Sequence, residues 1–158
     1  MMKAVVFTGH RFISAAAQTE AKIKLKDRIM DAYSRGVRVF VTGMAMGFDL
    51  IAASVVVGLQ REHEDLQLIA VVPFRGQSER FNPYFKSLYE HILVKASRTI
   101  VLSERYYERC LLKRNDYMLD FASEIIAYYD GKPKGGTFYT IRNAMLRGIR
   151  VTNIYPNN

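Results

Sequence analysis

The sequence predicts a single α/β domain of the Rossmann-like kind, with a mainly parallel sheet flanked by helices on both faces. Short β-rich apolar runs alternate with helical patterns along the whole chain, which is the arrangement of βαβ units. The length of 158 residues matches one domain, so we assign residues 1–158 to it. Glycine-bearing or charged loops follow most of the predicted strands, at the sheet edge where ligands bind in such folds.

The first half of the chain contains two strand–helix units. Residues 4–7 form an apolar strand, and residues 19–34 form a helix with apolar positions 25, 29, 32 and 33 on one face. Gly36 ends that helix. Residues 37–41 form the second strand, and 42–48 form a glycine-bearing turn. The small residues of the helix predicted over 49–59 allow it to lie close to the sheet.

The second half repeats the alternation. Residues 66–72 form a strand closed by Pro73, and residues 82–96 form a helix. Strands over 99–102 and 125–129 enclose a helix over 110–122. The helix over 137–146 is stopped by Gly148, and residues 150–154 form the last strand.

The charge balance favours an anionic partner. Lysine and arginine number 23 against 15 aspartates and glutamates, a net charge of +8. Such a balance suits nucleotides, nucleic acid or acidic surfaces and does not choose among them. The single cysteine, Cys110, cannot form an internal disulfide, and the sequence holds no CxxC or cysteine–histidine cluster. We therefore expect no disulfide, no metal site and no cofactor.

No targeting or membrane segment is predicted. The apolar run at the start of the sequence ends at Gly9 and is too short for a signal peptide. No apolar run approaches the ~20 residues that span a bilayer. The cytoplasm is the expected location, without membrane association.

The first candidate binding segment is Thr8-Gly9-His10-Arg11, directly after the first strand. Gly9 allows a sharp turn close to a ligand, and Arg11 can pair bidentately with a phosphate. His10 can donate a hydrogen bond or stack. A strand-end turn with solvated charges accounts equally well for these residue types.

The second candidate segment is the turn that contains Gly43, Met44, Gly47 and Asp49. Its glycines can free backbone amides at a helix N-terminus to face an anion. Asp49 either caps the helix, which is the commoner role, or accepts a hydrogen bond from a ribose hydroxyl. The spacing matches neither GxGxxG nor a Walker A loop.

Two further segments carry polar and aromatic side chains. Phe74 can stack on a base, Gln77 can read its edge, and Arg80 can reach a phosphate, although an ordinary polar loop would look the same. Arg114 and Asn115 are polar residues in the helix predicted over 110–122, where Met118 and Leu119 are expected in the core. Polar residues in such a helix favour a site over a packing role.

The last segment runs from Asp130 through Gly135, Gly136 and Thr137 to Thr140. A double glycine before a helix that starts with threonine supplies free amides, a favourable dipole and a hydroxyl for a phosphate. The alternative is a flexible loop with a helix cap. Because the segment follows a strand, we favour phosphate binding.

Together and in this order, the five segments resemble the YpsA-like family of the SLOG superfamily, which includes DprA/Smf and the LOG nucleotide phosphoribohydrolases. The matching segments are TGHR at 8–11, GMAMGFD at 43–49, PF with Gln77 and Arg80, RNDYMLD at 114–120, and YDG with GGT and Thr140. The resemblance spans nearly the whole chain. It implies a Rossmann-like fold and a nucleotide-type ligand, and it implies no particular reaction.

The resemblance and the residues favour a cytosolic sensor or regulatory domain that binds a nucleotide-type, phosphate-bearing ligand. A hydrolase of an N-glycosidic or phosphate bond is the alternative, with Asp49, Asp130 or Glu79 as acid or base. The hydrolase relatives carry a glutamate after their GGxGT segment. Here Phe138 and Tyr139 precede Thr140, so no acid stands at that spacing. The sequence leaves open whether a reaction is catalysed.

Single-stranded DNA binding, as in DprA, is a third reading. The net charge of +8 supports it, and residues 105–109 place two tyrosines among basic side chains. Nucleic acid and a second copy of the chain therefore stay open as partners.

Overall fold

The computed structural model describes residues 3–157. Over these residues it contains six strands and five α-helices, as expected, with a 3-10 turn over Gln77–Arg80. The strands are β1 (Ala4–Gly9), β2 (Val39–Thr42), β3 (Gln67–Val72), β4 (Arg98–Val101), β5 (Glu124–Tyr128) and β6 (Arg150–Asn153). The helices are α1 (Ala15–Ser34), α2 (Phe48–Leu59), α3 (Pro83–Lys95), α4 (Cys110–Leu119) and α5 (Gly135–Leu146).

The sheet is parallel throughout, with strand order β4-β3-β2-β1-β5-β6. The chain builds outward from β1 to β4 and then returns to place β5 on the other side of β1. The strand order therefore reverses between β1 and β5, which is called the switch point of the sheet. The connections from these two strands run to opposite faces of the sheet, which leaves a crevice at their carboxyl ends. The predicted Rossmann-like α/β fold is confirmed.

Side chains that alternate along the strands build a core on each face of the sheet. On one face, Phe7 and Phe40 pack with buried residues of α1, α2 and α3. On the other face, Val6 and Val41 pack with Met118 of α4 and with residues of α5. Both faces are therefore covered, as expected for a doubly wound sheet.

α5 begins at Gly135, two residues earlier than predicted, so the double glycine belongs to the first turn of the helix and does not precede it. Two other helix boundaries differ from the prediction by three residues or more. α1 begins four residues earlier, at Ala15, because the hydroxyl of Ser14 accepts from the Ala17 amide at 3.2 Å and caps the helix. The alanine-rich first turn lacks the apolar periodicity on which the prediction depended. α4 ends at Leu119 rather than 122, because the amide of Ala122 donates to Leu119 in a tight turn.

Within residues 3–157, no helix combines the length and apolar character needed to cross a bilayer.

Candidate functional site

A cavity of about 920 Å³ opens at the carboxyl ends of β1 and β5. Its walls come from the loop after β1, the turn before α2, the loop before α4 and one side of α4, the loop after β5, the first turn of α5 and Tyr155 after β6. It therefore lies in the crevice at the switch point of the sheet. Its volume is in the range of small-molecule sites.

The structure brings most of the predicted polar residues to this cavity. Its lining includes Thr8, Gly9, His10, Arg11, Asp49, Arg114, Asn115, Asp130, Gly136 and Thr137. The other predicted residues lie outside the lining: Gly43, Met44, Gly47, Phe74, Gln77, Arg80, Gly135 and Thr140. Segments that are far apart in sequence thus line one cavity. That each of these residues contacts a ligand stays a prediction.

The loop after β1 packs directly on the start of α2. The Phe48 amide donates to the His10 carbonyl at 3.0 Å, so this amide is bonded within the protein. A Cβ on Gly47 would lie 2.3 Å from the Arg11 carbonyl oxygen, and one on Gly9 would lie 2.5 Å from Cδ2 of Phe48. These two glycines serve the close approach of two loops, and that approach holds Arg11 at the cavity.

Arg114 is buried and bonded to the turn before α2. Its Nη1 donates to the Gly43 carbonyl, and its Nε donates to Oδ1 of Asn115 at 2.7 Å. The side chain is only 4% exposed, yet it contributes to the cavity lining. Burial lowers the pKa of its guanidinium, and the nearby Asp49 carboxylate opposes that shift.

Asp49 is the buried acid of the site. Its carboxylate accepts from the Ala45 amide at 3.3 Å, so it braces its own turn instead of occupying the N-cap position, which is Gly47. Burial raises the pKa of Asp49 to about 6, against the opposing effects of Arg114, the Ala45 amide and Arg11. This carboxyl group therefore changes charge around pH 6.

The N-terminus of α5 is the part of the cavity best suited to an anion. α5 begins at Gly135 without a side-chain cap from the described part of the chain, and its first turn contains no acidic residue. The first-turn amides of a helix have no intrahelical acceptors, and the helix dipole is positive there. Gly136 and Thr137 present this end to the cavity, whereas the Thr140 hydroxyl donates back to the Gly136 carbonyl at 3.0 Å.

The N-terminus of α4 adds to the positive character of the same space. Cys110 to Leu112 line the cavity, and no side chain of residues 3–157 caps this helix either. Arg109, at the N-cap position in left-handed conformation with φ 72°, is exposed and lines the cavity with Arg11. Two helix N-termini and three arginines therefore face one volume.

His10 and Asp130 connect the loops on either side of that volume. The Asp130 amide donates to Nε2 of His10 at 2.9 Å, and Oδ1 of the Asp130 carboxylate lies 3.3 Å from the same nitrogen. The Asp130 carboxylate accepts from the Lys132 amide at 3.0 Å. This bond is the largest cause of the lowered pKa of Asp130, so the carboxylate stays ionised.

The 3-10 turn supports the site from outside. Gln77 is buried, donates to the Gly43 carbonyl at 3.3 Å and accepts from the Tyr89 hydroxyl at 3.2 Å. Met44 is fully buried in the core, with φ 62°.

The sequence analysis did not predict Phe12 and Tyr155, which also line the cavity. The available signal for Phe12 was an aromatic residue directly after the TGHR segment at 8–11.

Fold and site together define a doubly wound α/β domain with a positively polarised cavity at its switch point. The YpsA family model, described as the YspA SLOG family, matches residues 10–152. The chain belongs to this family, as the order of its five segments predicted.

Relatives from bacilli are similar over most of the chain. A UPF0398 protein of Bacillus pumilus is 30% identical over 125 residues, which cover 78% of this chain and 67% of the relative. A UPF0398 protein of Bacillus velezensis is 26% identical over 137 residues, covering 85% and 74%. An uncharacterized SPbeta prophage-derived protein of Bacillus subtilis, YoqJ, is 28% identical over 130 residues, covering 72% and 76%.

Proposed function

We propose that this domain binds a nucleotide-type ligand through its phosphate group and acts as a cytosolic sensor or regulatory domain. The observation that carries the proposal is the start of α5, where Gly136 and Thr137 belong to a first turn without a side-chain cap and line the cavity. Amides and dipole at such a helix end favour a bound anion.

The surrounding charges support a phosphate at this position. Arg11, Arg109 and Arg114 line the same cavity. Guanidinium groups pair bidentately with phosphate oxygens, and such charge-assisted bonds are the stronger kind. The volume of about 920 Å³ leaves room for a sugar and a base beyond the phosphate. Membership of a SLOG family agrees with a nucleotide-related ligand.

A calorimetric titration tests the proposal. Nucleoside 5′-monophosphates should bind, and the matching nucleosides should bind much more weakly. Arg11 is exposed, so Arg11→Ala should lower nucleotide affinity by about 10- to 100-fold and leave the melting temperature unchanged. Arg61→Ala removes another exposed arginine, at the opposite edge of the sheet, and should change neither the affinity nor the melting temperature. Equal affinity for nucleosides and nucleotides would contradict phosphate recognition.

Hydrolysis of the ligand is the second candidate function, and Asp49 favours it. Its carboxyl group lines the cavity with a pKa of about 6, which suits a general acid or base near neutral pH. Asp130 is held ionised, and Glu79 lies outside the lining. Chromatography of nucleotides after incubation with the protein would detect a released base or phosphate. Asp49→Asn should abolish that release if Asp49 is the catalyst.

A further inference from the structure

Two exposed aromatic side chains belong to the cavity. In the described part of the chain, eight large apolar side chains are exposed, and two of them, Phe12 and Tyr106, line the cavity. Phe12 is 84% exposed and Tyr106 is 64% exposed. Single exposed aromatics are ordinary on protein surfaces, but two from separate loops at one cavity need a reason.

Each aromatic is a near neighbour of a cavity arginine. Phe12 follows Arg11 in the loop between β1 and α1. Tyr106 precedes Arg109 by three residues in the loop between β4 and α4. The cavity therefore combines cationic groups and helix N-termini with exposed π-faces. A nucleotide has this same combination of an anionic group and a flat heterocycle.

The Tyr106 ring is supported from outside the cavity. The Phe74 ring meets it edge-on, with ring centroids 5.3 Å apart and an interplanar angle of 84°. Such edge-to-face contacts stabilise the orientation of a ring. Phe74 itself does not line the cavity, so it is placed to position Tyr106 and not to contact a ligand there.

We infer that Phe12 and Tyr106 form the base-binding part of the cavity and stack on an aromatic heterocycle. The inference rests on the proposed function, because it supplies the other half of a nucleotide whose phosphate binds at α5. It excludes a plain sugar phosphate or inorganic phosphate as the preferred ligand. Stacking tolerates any base, so the aromatics select for the presence of a base.

A matched pair of ligand classes isolates the base. We expect at least one of the four common nucleoside 5′-monophosphates to bind at least tenfold more tightly than ribose 5-phosphate, which lacks only the base. Phe12→Ala and Tyr106→Ala should each weaken nucleotide binding about tenfold and leave ribose 5-phosphate binding unchanged. Tyr106→Phe retains the ring and should bind like the wild type.

Tyr107→Ala is the control, since Tyr107 is 45% exposed in the same loop and outside the cavity lining. It should leave both affinities unchanged. Equal losses for nucleotide and ribose 5-phosphate in the Phe12 and Tyr106 variants would overturn base stacking. If ribose 5-phosphate binds the wild type as tightly as the nucleotides, the base site fails and the phosphate site stands. If no phosphorylated probe binds the wild type, both proposals fail.

The chain contains no tryptophan, which permits a direct optical test. Phe12→Trp should keep nucleotide affinity, and a stacked base should quench the fluorescence of the single indole. Ribose 5-phosphate should not quench it, and Tyr107→Trp should respond to neither probe. Retained nucleotide affinity without quenching in Phe12→Trp would overturn stacking at position 12.

Discussion

The guanidinium group of Arg114 occupies the space that a side chain at Gly43 would need. A Cβ built on Gly43 would lie 2.8 Å from Cζ of Arg114, and Nη1 of the arginine donates to the Gly43 carbonyl. The two residues are 71 positions apart in sequence. This contact joins α4 to the turn before α2 and fixes a buried cation at the cavity.

We expect Gly43→Ala to destabilise the protein by about 1–3 kcal/mol, because the added methyl group must displace a buried arginine. Urea denaturation measures the change. Gly58→Ala is the control, since a Cβ there meets nothing within 4 Å, and it should stabilise α2 by about 0.5–1 kcal/mol. In a double-mutant cycle with Arg114→Ala, the loss at Gly43 should shrink; strictly additive losses would show that the two residues are not coupled.

Gly47→Ala should be more damaging, because two costs coincide. The backbone there has φ 92°, and the new Cβ would lie 2.3 Å from the Arg11 carbonyl oxygen. Gly36→Ala separates these costs, since Gly36 has φ 97° with nothing within 4 Å of the Cβ position. We expect about 1–2 kcal/mol for Gly36→Ala and a clearly larger loss for Gly47→Ala in the same denaturation assay. Equal losses would mean that the Arg11 loop moves aside freely.

Gly136→Ala should separate binding from folding. The closest atom to a Cβ there is Nδ2 of Asn115 at 3.8 Å, and the backbone conformation suits any residue. The melting temperature should therefore be retained. Phosphate binding at the α5 amides should fall, and Gly136→Val should abolish it, because the side chain occupies the anion's space.

Titration of both variants with a nucleoside 5′-monophosphate and its nucleoside checks this expectation. The nucleoside should lose much less affinity than the nucleotide. Equal losses for both ligands, or a collapse of the melting temperature, would mean that Gly136 serves the fold and not a phosphate.

The raised pKa of Asp49 predicts a pH dependence of stability. Its pKa is about 6 in the folded protein against an ordinary value of 3.8, so the folded state binds more protons between these values. The free energy of unfolding should therefore decrease as pH rises from about 4 to about 6, by up to ~3 kcal/mol from this group, and level off above. Asp49→Asn cannot titrate, so the difference between wild type and variant should follow that curve. A pH-independent difference would contradict the assignment.

The sequence predicted the fold because its signals are local. Alternation of strand and helix patterns, with glycine at the stops, requires no knowledge of distant contacts. Parallel strands place every strand–helix loop at the same edge, so the loop after β1, the turn before α2 and the start of α5 had to share it. The predicted helix boundaries were less accurate where a capping side chain, such as that of Ser14, let the helix begin before its apolar pattern.

Roles within the site depended on contacts that no local pattern contains. The residue types at Gly47, Gln77 and Arg114 do not by themselves reveal which of them contacts a ligand and which of them packs within the protein. Only the tertiary structure placed Gly47 against the Arg11 backbone and Gln77 on the Gly43 carbonyl.

The sequence by itself determined the doubly wound domain, its family and the sheet edge at which the candidate site lies. The tertiary structure decided which side chains point into the cavity and which ones hold the loops together. In the folded protein, Arg114 donates to the Gly43 carbonyl, and burial raises the pKa of Asp49 to about 6. Phe12 and Tyr106, which are far apart in sequence, line the same cavity. The physical reason is that burial and charge at a site are set by loops distant in sequence, whereas strand and helix formation depends mainly on near neighbours.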